Sequence, residues 1–199
     1  MVRTSNIERR RKKEATILKH AKDVFCRNGY INVTMQDIID ECSISRGGIY
    51  LYFSSVDEIY MEVVKRRNHR NFEAVKRAVA ENTPFFELWN SYLIVQKQRL
   101  LHLEDSMLRS TYEFLFTHKN EENRHFQQSL LHHIKSTILE ILLLGVRQGV
   151  LRNEKIDMLA ENFMFVIEGL GILSLVGGIT EEHISKQFSL LESMLPLRR

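Results

Sequence analysis

The sequence predicts an all-α protein, and three of its features carry that expectation. Two prolines and nine glycines in 199 residues leave few places where a helix must stop. Leu, Glu, Lys and Arg, which lose little side-chain freedom in a helix, are abundant, and so is Ile. Apolar residues return at steps of three and four through most of the chain, the period of one helical face. A hydrophobic fraction of 44% supplies a real core, in one all-helical domain or in a small module fused to a larger one.

The first helix is expected over about residues 9 to 28, with Ile17, Leu18, Ala21, Val24 and Phe25 on its apolar face and Arg11, Lys12, Lys19, Lys22 and Arg27 mostly elsewhere. Asn28-Gly29 supplies its left-handed stop. Thr34 then stands as an N-cap, with Asp37 as the acidic partner of a capping box and Ile38, Ile39 and Cys42 as the apolar face of a short second helix. A tight turn through Ser43 and Ile44 leads to Ser45, the N-cap of a third helix carrying Arg46 to Leu51. Three short helices in tandem, the last two joined by a tight turn, form the pattern of a helix-turn-helix unit.

Beyond Phe53 the chain reads as further helices over about 55–81, 83–103, 105–119, 122–149, 156–176 and 180–194, about nine to ten in all. The organisation expected is a small unit over residues 1–54 and a larger one over 55–199, with no internal repeats. Helices starting near Glu122 and Ile156 are apolar on more than one narrow face, so both must be covered on two sides.

Several function classes drop out. Cys26 and Cys42 sit within apolar patterns and read as core thiols in a reducing cytosol rather than a disulfide framework. The basic N-terminus is followed by no apolar segment of the secretory kind. The most apolar stretch, Phe163 to Ile179, is broken by Glu168 and glycines and falls short of a spanning helix, so a soluble, cytoplasmic protein is expected. His118, His125 and His132 repeat every seven residues, about 10.5 Å of helical rise apart, too far to share one metal. No metal or cofactor is expected, and no nucleophile, base or phosphate-loop order points to an enzyme.

Charge and the "SISRGGIYLYF" stretch point to nucleic acid. The net charge of +3 hides an asymmetry: residues 1–70 hold 14 Lys/Arg against 9 Asp/Glu, and the remainder 14 against 16. A recognition helix enters the major groove N-terminus first, where Gly47 and Gly48 remove bulk. Arg46 can then reach a guanine edge or a phosphate, Ser45 a phosphate, and Tyr50 and Tyr52 can bond phosphate oxygens with their rings anchored. Thr34 and Leu51 complete this set.

These residues resemble the TetR family of bacterial transcriptional regulators. The likeness runs over "ILKHAKDVFCRNGYINVTMQDIIDECSISRGGIYLYFSSVDEIY", about 17 to 60, and more loosely over 11 to 71, its motif covering about 34 to 53. It is ordered: Phe25-x-x-x-Gly29, Thr34-x-x-Asp37-Ile38, Ser45-Arg46-Gly47-Gly48-Ile49-Tyr50-x-x-Phe53, then Glu58-Ile59. Three positions depart from it: Ser43 replaces a usual glycine, Tyr52 a frequent histidine and Val56 a frequent lysine. The basic segment Arg9, Arg10, Arg11, Lys12 and Lys13 is expected along the DNA backbone or in the minor groove, making up for the missing lysine.

The resemblance implies a homodimer built on the last two long helices, with Gly169 and Gly171 allowing close approach. Two recognition helices about 34 Å or somewhat more apart would then read a palindromic operator. It also implies an effector-binding larger domain that moves the fourth helix and lowers DNA affinity, as in a repressor. Phe86, Trp89, Tyr92, Met107, Tyr112, Phe114, Phe116, Met164 and Phe165 are candidates to line a cavity for a small apolar or amphipathic effector, or they are ordinary core. Glu168 must be paired, protonated or at an interface; a hydrogen bond across the dimer, or a cationic effector, would satisfy it. Two other functions stay open: a larger domain that responds to a protein partner, and an all-α enzyme with an incidental helix-turn-helix.

Overall fold

A computed structural model describes residues 6–103 and 106–198, the side chain of Glu122 apart. These residues form nine helices: α1 (Asn6–Asn28), α2 (Met35–Cys42), α3 (Arg46–Tyr50), α4 (Val56–Ala80), α5 (Phe85–Leu101), α6 (Leu108–Thr117), α7 (Glu121–Arg147), α8 (Ile156–Leu175) and α9 (Glu181–Ser193). The all-α expectation holds.

Three helices lie away from their expected starts: α1, α5 and α6, the last beginning at Leu108 rather than about 105, a position outside the described residues. α1 is already helical at Asn6, the first described residue and three before the expected start, and nothing between Asn6 and Ile17 breaks a helix. α5 starts at Phe85 rather than Thr83, since Asn82 has a positive φ of 54° and Pro84 is extended, with ψ 133°. Gln148, at the end of α7, stitches that turn: its Oε1 accepts from the Phe85 N–H at 2.8 Å and its amide donates to the Thr83 carbonyl at 2.8 Å.

The apolar side chains gather into two clusters. The smaller joins Ile17, Phe25, Ile38, Ile49 and Phe53 with Ile59, Tyr60 and Val64 of α4, and takes Met107, Phe114, Phe126 and Leu130 from α6, its preceding turn and α7. The larger packs Phe85 and Trp89 of α5 against Ile138 and Leu142 of α7, Phe163 and Ile167 of α8, and Ile184 and Phe188 of α9. Trp89 meets Phe163 edge to face with ring centres 4.8 Å apart, and its indole N–H donates to Glu192 at 3.2 Å. Cys26 is buried, but Cys42 is only partly so, correcting its assignment to the core. Burial first, then Glu41, raises the Cys42 thiol to about 11, so it stays protonated.

The apolar stretch near the C-terminus also needs correction. Residues 123–147 and 156–175 are each long and apolar enough to cross a membrane by length and composition. In the fold, however, α8 buries Ile156, Leu159, Phe163, Ile167 and Leu170 in the larger cluster, as a core helix does.

Gly145 lies where α7 packs tightly on Phe85 and Leu151: a Cβ there would lie 2.8 Å from Phe85 and 2.9 Å from Leu151. Both neighbours are fully buried and have nowhere to move. Gly145→Ala is therefore expected to destabilise the protein by about 1–3 kcal/mol despite alanine's better helix propensity, as chemical denaturation would report.

Candidate nucleic-acid interface

The helix-turn-helix is fixed by three caps that its own sequence supplies. The Thr34 side chain accepts from the Asp37 N–H at 3.3 Å, while the Asp37 carboxylate accepts from the Thr34 N–H at 2.7 Å, a complete capping box. The Thr34 hydroxyl, donating to the Asp37 carboxylate at 2.6 Å, and then the Thr34 N–H hold the Asp37 carboxyl below the usual carboxylate range. Ser43 takes the left-handed conformation, φ 50° and ψ 41°, and its N–H closes α2, so the serine does the work of the glycine it replaces. Ser45 caps α3 by accepting from the Gly48 N–H at 3.2 Å.

Ile49 and Phe53 anchor α3 in the smaller cluster, leaving Ser45, Arg46, Gly47, Tyr50 and Leu51 exposed, with Thr34 nearby on the surface and Tyr52 partly covered. The two glycines differ. A Cβ on Gly48 would come within 2.9 Å of Ile44 and 3.0 Å of Ser45 Oγ, whereas one on Gly47 would meet nothing within 4 Å. The fold therefore accounts for Gly48 and does not account for Gly47.

The basic segment is helical rather than an extended arm. Arg9, Arg10, Arg11, Lys12 and Lys13 are exposed on the first turns of α1. Arg10 donates to the Leu51 carbonyl at 3.3 Å and lies over the Tyr52 ring, 5.5 Å from its centre. A groove of about 630 Å³ runs here, lined by Arg9, Arg10, Lys12, Lys13, Leu51 and Tyr52. Cationic side chains thus flank the C-terminal end of α3 as its N-terminal end projects.

Sequence reasoning missed how this unit is held from below. Glu113, on α6, accepts from the backbone N–H of Tyr30 at 2.5 Å and of Ile31 at 3.0 Å, and Arg109 donates to its other oxygen at 2.7 Å. Gly29, with φ 77°, lies against that carboxylate, and a Cβ there would collide with it. Tyr30 donates to Asp57 on α4, and His118 Nε2, just past α6, lies 3.1 Å from the Tyr30 hydroxyl and 3.3 Å from Asp57 Oδ2. His118 also stacks on Phe114, ring centres 4.2 Å apart. No local pattern in the sequence signals contacts that span more than eighty residues.

Comparisons with known proteins agree with this architecture. The model of the bacterial regulatory proteins, tetR family, matches residues 17–63. The HTH-type transcriptional regulator YfiR of Bacillus subtilis is 31% identical over 143 residues, covering 71% of this chain and 69% of its own length.

The chain belongs to the TetR family.

A second Bacillus subtilis regulator of the HTH type, YuxN, is 25% identical over 132 residues, and the match spans only 45% of its length. Among solved structures, a transcriptional regulator from Saccharomonospora viridis in complex with choline superposes with a TM-score of 0.69 at 26% identity, covering 95% of this chain and 100% of that one. Escherichia coli NemR in its reduced form shares the fold, TM-score 0.76, at 9% identity over 94% of this chain and 100% of its own. The chain is thus a TetR-family transcriptional regulator with a helix-turn-helix DNA-binding unit.

Of the candidate effector residues of this TetR-family chain, Tyr112 and Glu168 are brought together, and the rest are spread over two cores and the surface. Met107 and Phe114 belong to the smaller cluster, Trp89, Tyr112 and Met164 to the larger, and Tyr92 packs against the latter while partly exposed. Phe86, Phe116 and Phe165 are exposed. Glu168 is paired within the chain, which corrects the expectation of a partner across an interface: Arg99 Nη2 donates to it at 2.8 Å and the Tyr112 hydroxyl at 2.9 Å. Among the described residues no group of three or more His, Cys, Asp and Glu is placed to hold a metal ion.

Burial opposes the ionised form of Glu113, but the N–H groups of Ile31 and Tyr30, with Arg109, outweigh it and hold its pKa below the ordinary 4.5. A carboxylate depressed in the folded state stabilises above its unfolded pKa and loses that contribution as pH falls through the folded value. Glu113→Gln is accordingly expected to cost about 1–3 kcal/mol at neutral pH. It should also flatten the loss of stability on acidification below pH 4.5, which denaturant unfolding across pH would reveal.

Proposed function

We propose that this protein is a ligand-responsive, homodimeric repressor that reads a palindromic operator with α3. The observation that carries the reading is Gly47: a helical glycine at the exposed tip of α3, with open space around it and no packing reason to lack a side chain. A surface kept bare in this way suits close approach by another molecule's backbone, and in a TetR-family helix-turn-helix that molecule is duplex DNA. Arg46 is the base-reading candidate. Ser45, Tyr50, Tyr52, Thr34 and the cations of α1 are the phosphate contacts, Leu51 packing among them.

The dimer rests on α8. Met158, Phe165, Ile172, Leu173 and Val176 form an exposed apolar stripe along it at helical spacing, with Phe165 61% and Val176 72% accessible. Gly169 lies in that stripe with open space before it, whereas Gly171 faces inward against Leu108 and Tyr112. A two-fold axis beside α8 would cover the stripe and set two copies of α3 on successive half-sites. A cytoplasmic location follows from this function.

Repression and release require effector and DNA to favour different conformers, with reciprocal coupling. α6 is the element suited to carry it. Tyr112 bonds Glu168 in the larger part, and the next residue, Glu113, bonds the turn after α1.

Three variants test the reading. Gly47→Ala should leave stability unchanged or raise it by up to about 1 kcal/mol, yet weaken binding to DNA from the region upstream of the protein's own gene severalfold. Arg46→Ala should cost about 1–3 kcal/mol and relax sequence preference; a uniform loss with a shallower salt slope would make Arg46 a phosphate contact instead. Wild-type affinity for Gly47→Ala would remove α3 from the interface. Separately, Phe165→Glu should yield monomers in sedimentation and lose operator binding, and a dimer that persists would move the two-fold axis away from α8.

A further inference from the structure

Arg10, on the first turns of α1, reaches the end of α3 in two ways. Its Nη2 donates to the Leu51 carbonyl at 3.3 Å, and its guanidinium lies over the Tyr52 ring, 5.5 Å from the centre. Both partners lie just past α3, which has only five residues and stops at Tyr50. Carbonyls at the end of so short a helix need partners from outside its own ladder. Ile49 accepts from the N–H groups of Tyr52 and Phe53 at 2.9 and 3.1 Å, whereas the Leu51 carbonyl takes its hydrogen bond from Arg10.

The surroundings leave Arg10 free for this task. Glu14 is four residues on, where it could draw Arg10 back along α1, but it bonds to Arg66 of α4. On the far side of Tyr52 the chain is pinned as well: Phe53 is buried, and the N–H and hydroxyl of Ser54 donate to Glu58 at 2.7 and 2.8 Å. Tyr52 lies between these fixed points, partly covered, with Arg10 over its ring. Neither contact of Arg10 is strong by itself at an exposed site, so stability gives no reason for the pair. Ordering the end of a short helix before DNA arrives does, because that cost is then not charged to binding.

We infer that Arg10 is a positioning residue for DNA binding: it fixes the end of α3 and holds the Tyr52 ring so that the phenol presents its hydroxyl to one backbone phosphate. Arg10 plays this part only if α3 faces DNA, as proposed above, and it acts through Tyr52 where Arg9 and Lys13, in the same groove, act by their own charge. A guanidinium suits the task because its flat face can stack on a ring while an edge N–H donates elsewhere. A lysine ammonium is a point charge and has no such face.

The test uses the full-length protein and the duplex it selects most strongly from a random-sequence library, with binding measured across salt concentrations. Arg10→Lys keeps the charge near DNA but loses the stacked group, and should weaken binding about fivefold with an unchanged salt slope. Tyr52→Phe keeps the ring and removes the hydroxyl, at a cost of about tenfold. Arg10→Met should cost about fivefold in the wild type but less than about twofold beside Tyr52→Phe, since the two residues act as one. Arg10 is exposed, so loss of folding does not intervene. Wild-type affinity for Arg10→Lys overturns the inference. So does an Arg10→Met loss that multiplies with Tyr52→Phe and lowers the salt slope by about 0.9 per phosphate, which would make Arg10 a phosphate contact in its own right. An Arg10→Met protein with no loss would take Arg10 out of the interface. In each of these cases a persisting effect of Arg46→Ala keeps α3 at the DNA, whereas selection of no duplex by the wild-type protein overturns both readings.

Discussion

The carboxylate of Glu113 is the contact on which the relation between the two parts of the molecule depends. The turn after α1 leaves the backbone N–H groups of Tyr30 and Ile31 without helical partners, and Tyr30 is buried. Buried donors of this kind must be satisfied, and the acceptor comes from α6. The approach is possible only because residue 29 is glycine, for its positive φ and for the space a Cβ would take from the carboxylate. Around this point Tyr30, Tyr60, Phe114 and His118 close into a ring cluster, so the smaller core is completed by residues of α6 and α7. A helix-turn-helix of this size buries little apolar surface by itself, and side chains borrowed from the larger part supply the rest.

Local chemistry was legible in the sequence. Thr34, Asp37 and Ser45 act over three residues, so their spacing identified those caps and all three perform as their positions require, whereas Ser43, read only as part of the tight turn, also closes α2. The apolar faces of α1 and α2 could be read for the same reason. Gly29 was legible only in part: it reads as a helix stop, but its second role needs Glu113, eighty-four positions later. Glu168 shows the same limit. Its need for a partner follows from one apolar helix, yet the choice of Arg99, sixty-nine residues earlier, depends on how α5 packs on α8. Aromatic residues were the least legible, because composition does not say which side of a helix faces which core. Phe114 and Phe116, two positions apart, are fully buried and 64% exposed.

Burying charge in the larger part has an energetic meaning of its own. An ion pair removed from water is weak evidence for stability, since apolar residues of the same shape serve a core as well or better. The Arg99–Glu168–Tyr112 group lies at the edge of a cluster otherwise made of Phe, Leu, Ile and Trp, so stability does not explain it. What it does provide is a set of directional contacts joining α5, α6 and α8. Such contacts have defined alternatives, broken or made, because a hydrogen bond weakens steeply with distance and angle.

α6 is where those alternatives acquire consequences. Tyr112 and Glu113 are successive residues, so their side chains leave the helix about 100° apart, one toward α8 and the other toward the turn after α1. A ten-residue helix pinned at both contacts cannot roll or slide to improve one without lengthening the other. Hydrogen bonds weaken steeply with distance and angle, so a shift well under 1 Å is enough to set the two in competition. Allosteric couplings of about 1–3 kcal/mol are typical, and one hydrogen bond to a charged group lies in that range. The proposed coupling therefore needs no long chain of intermediaries between the two parts: one rigid helix, holding a carboxylate on one side and a phenol on the other, would be sufficient to carry it.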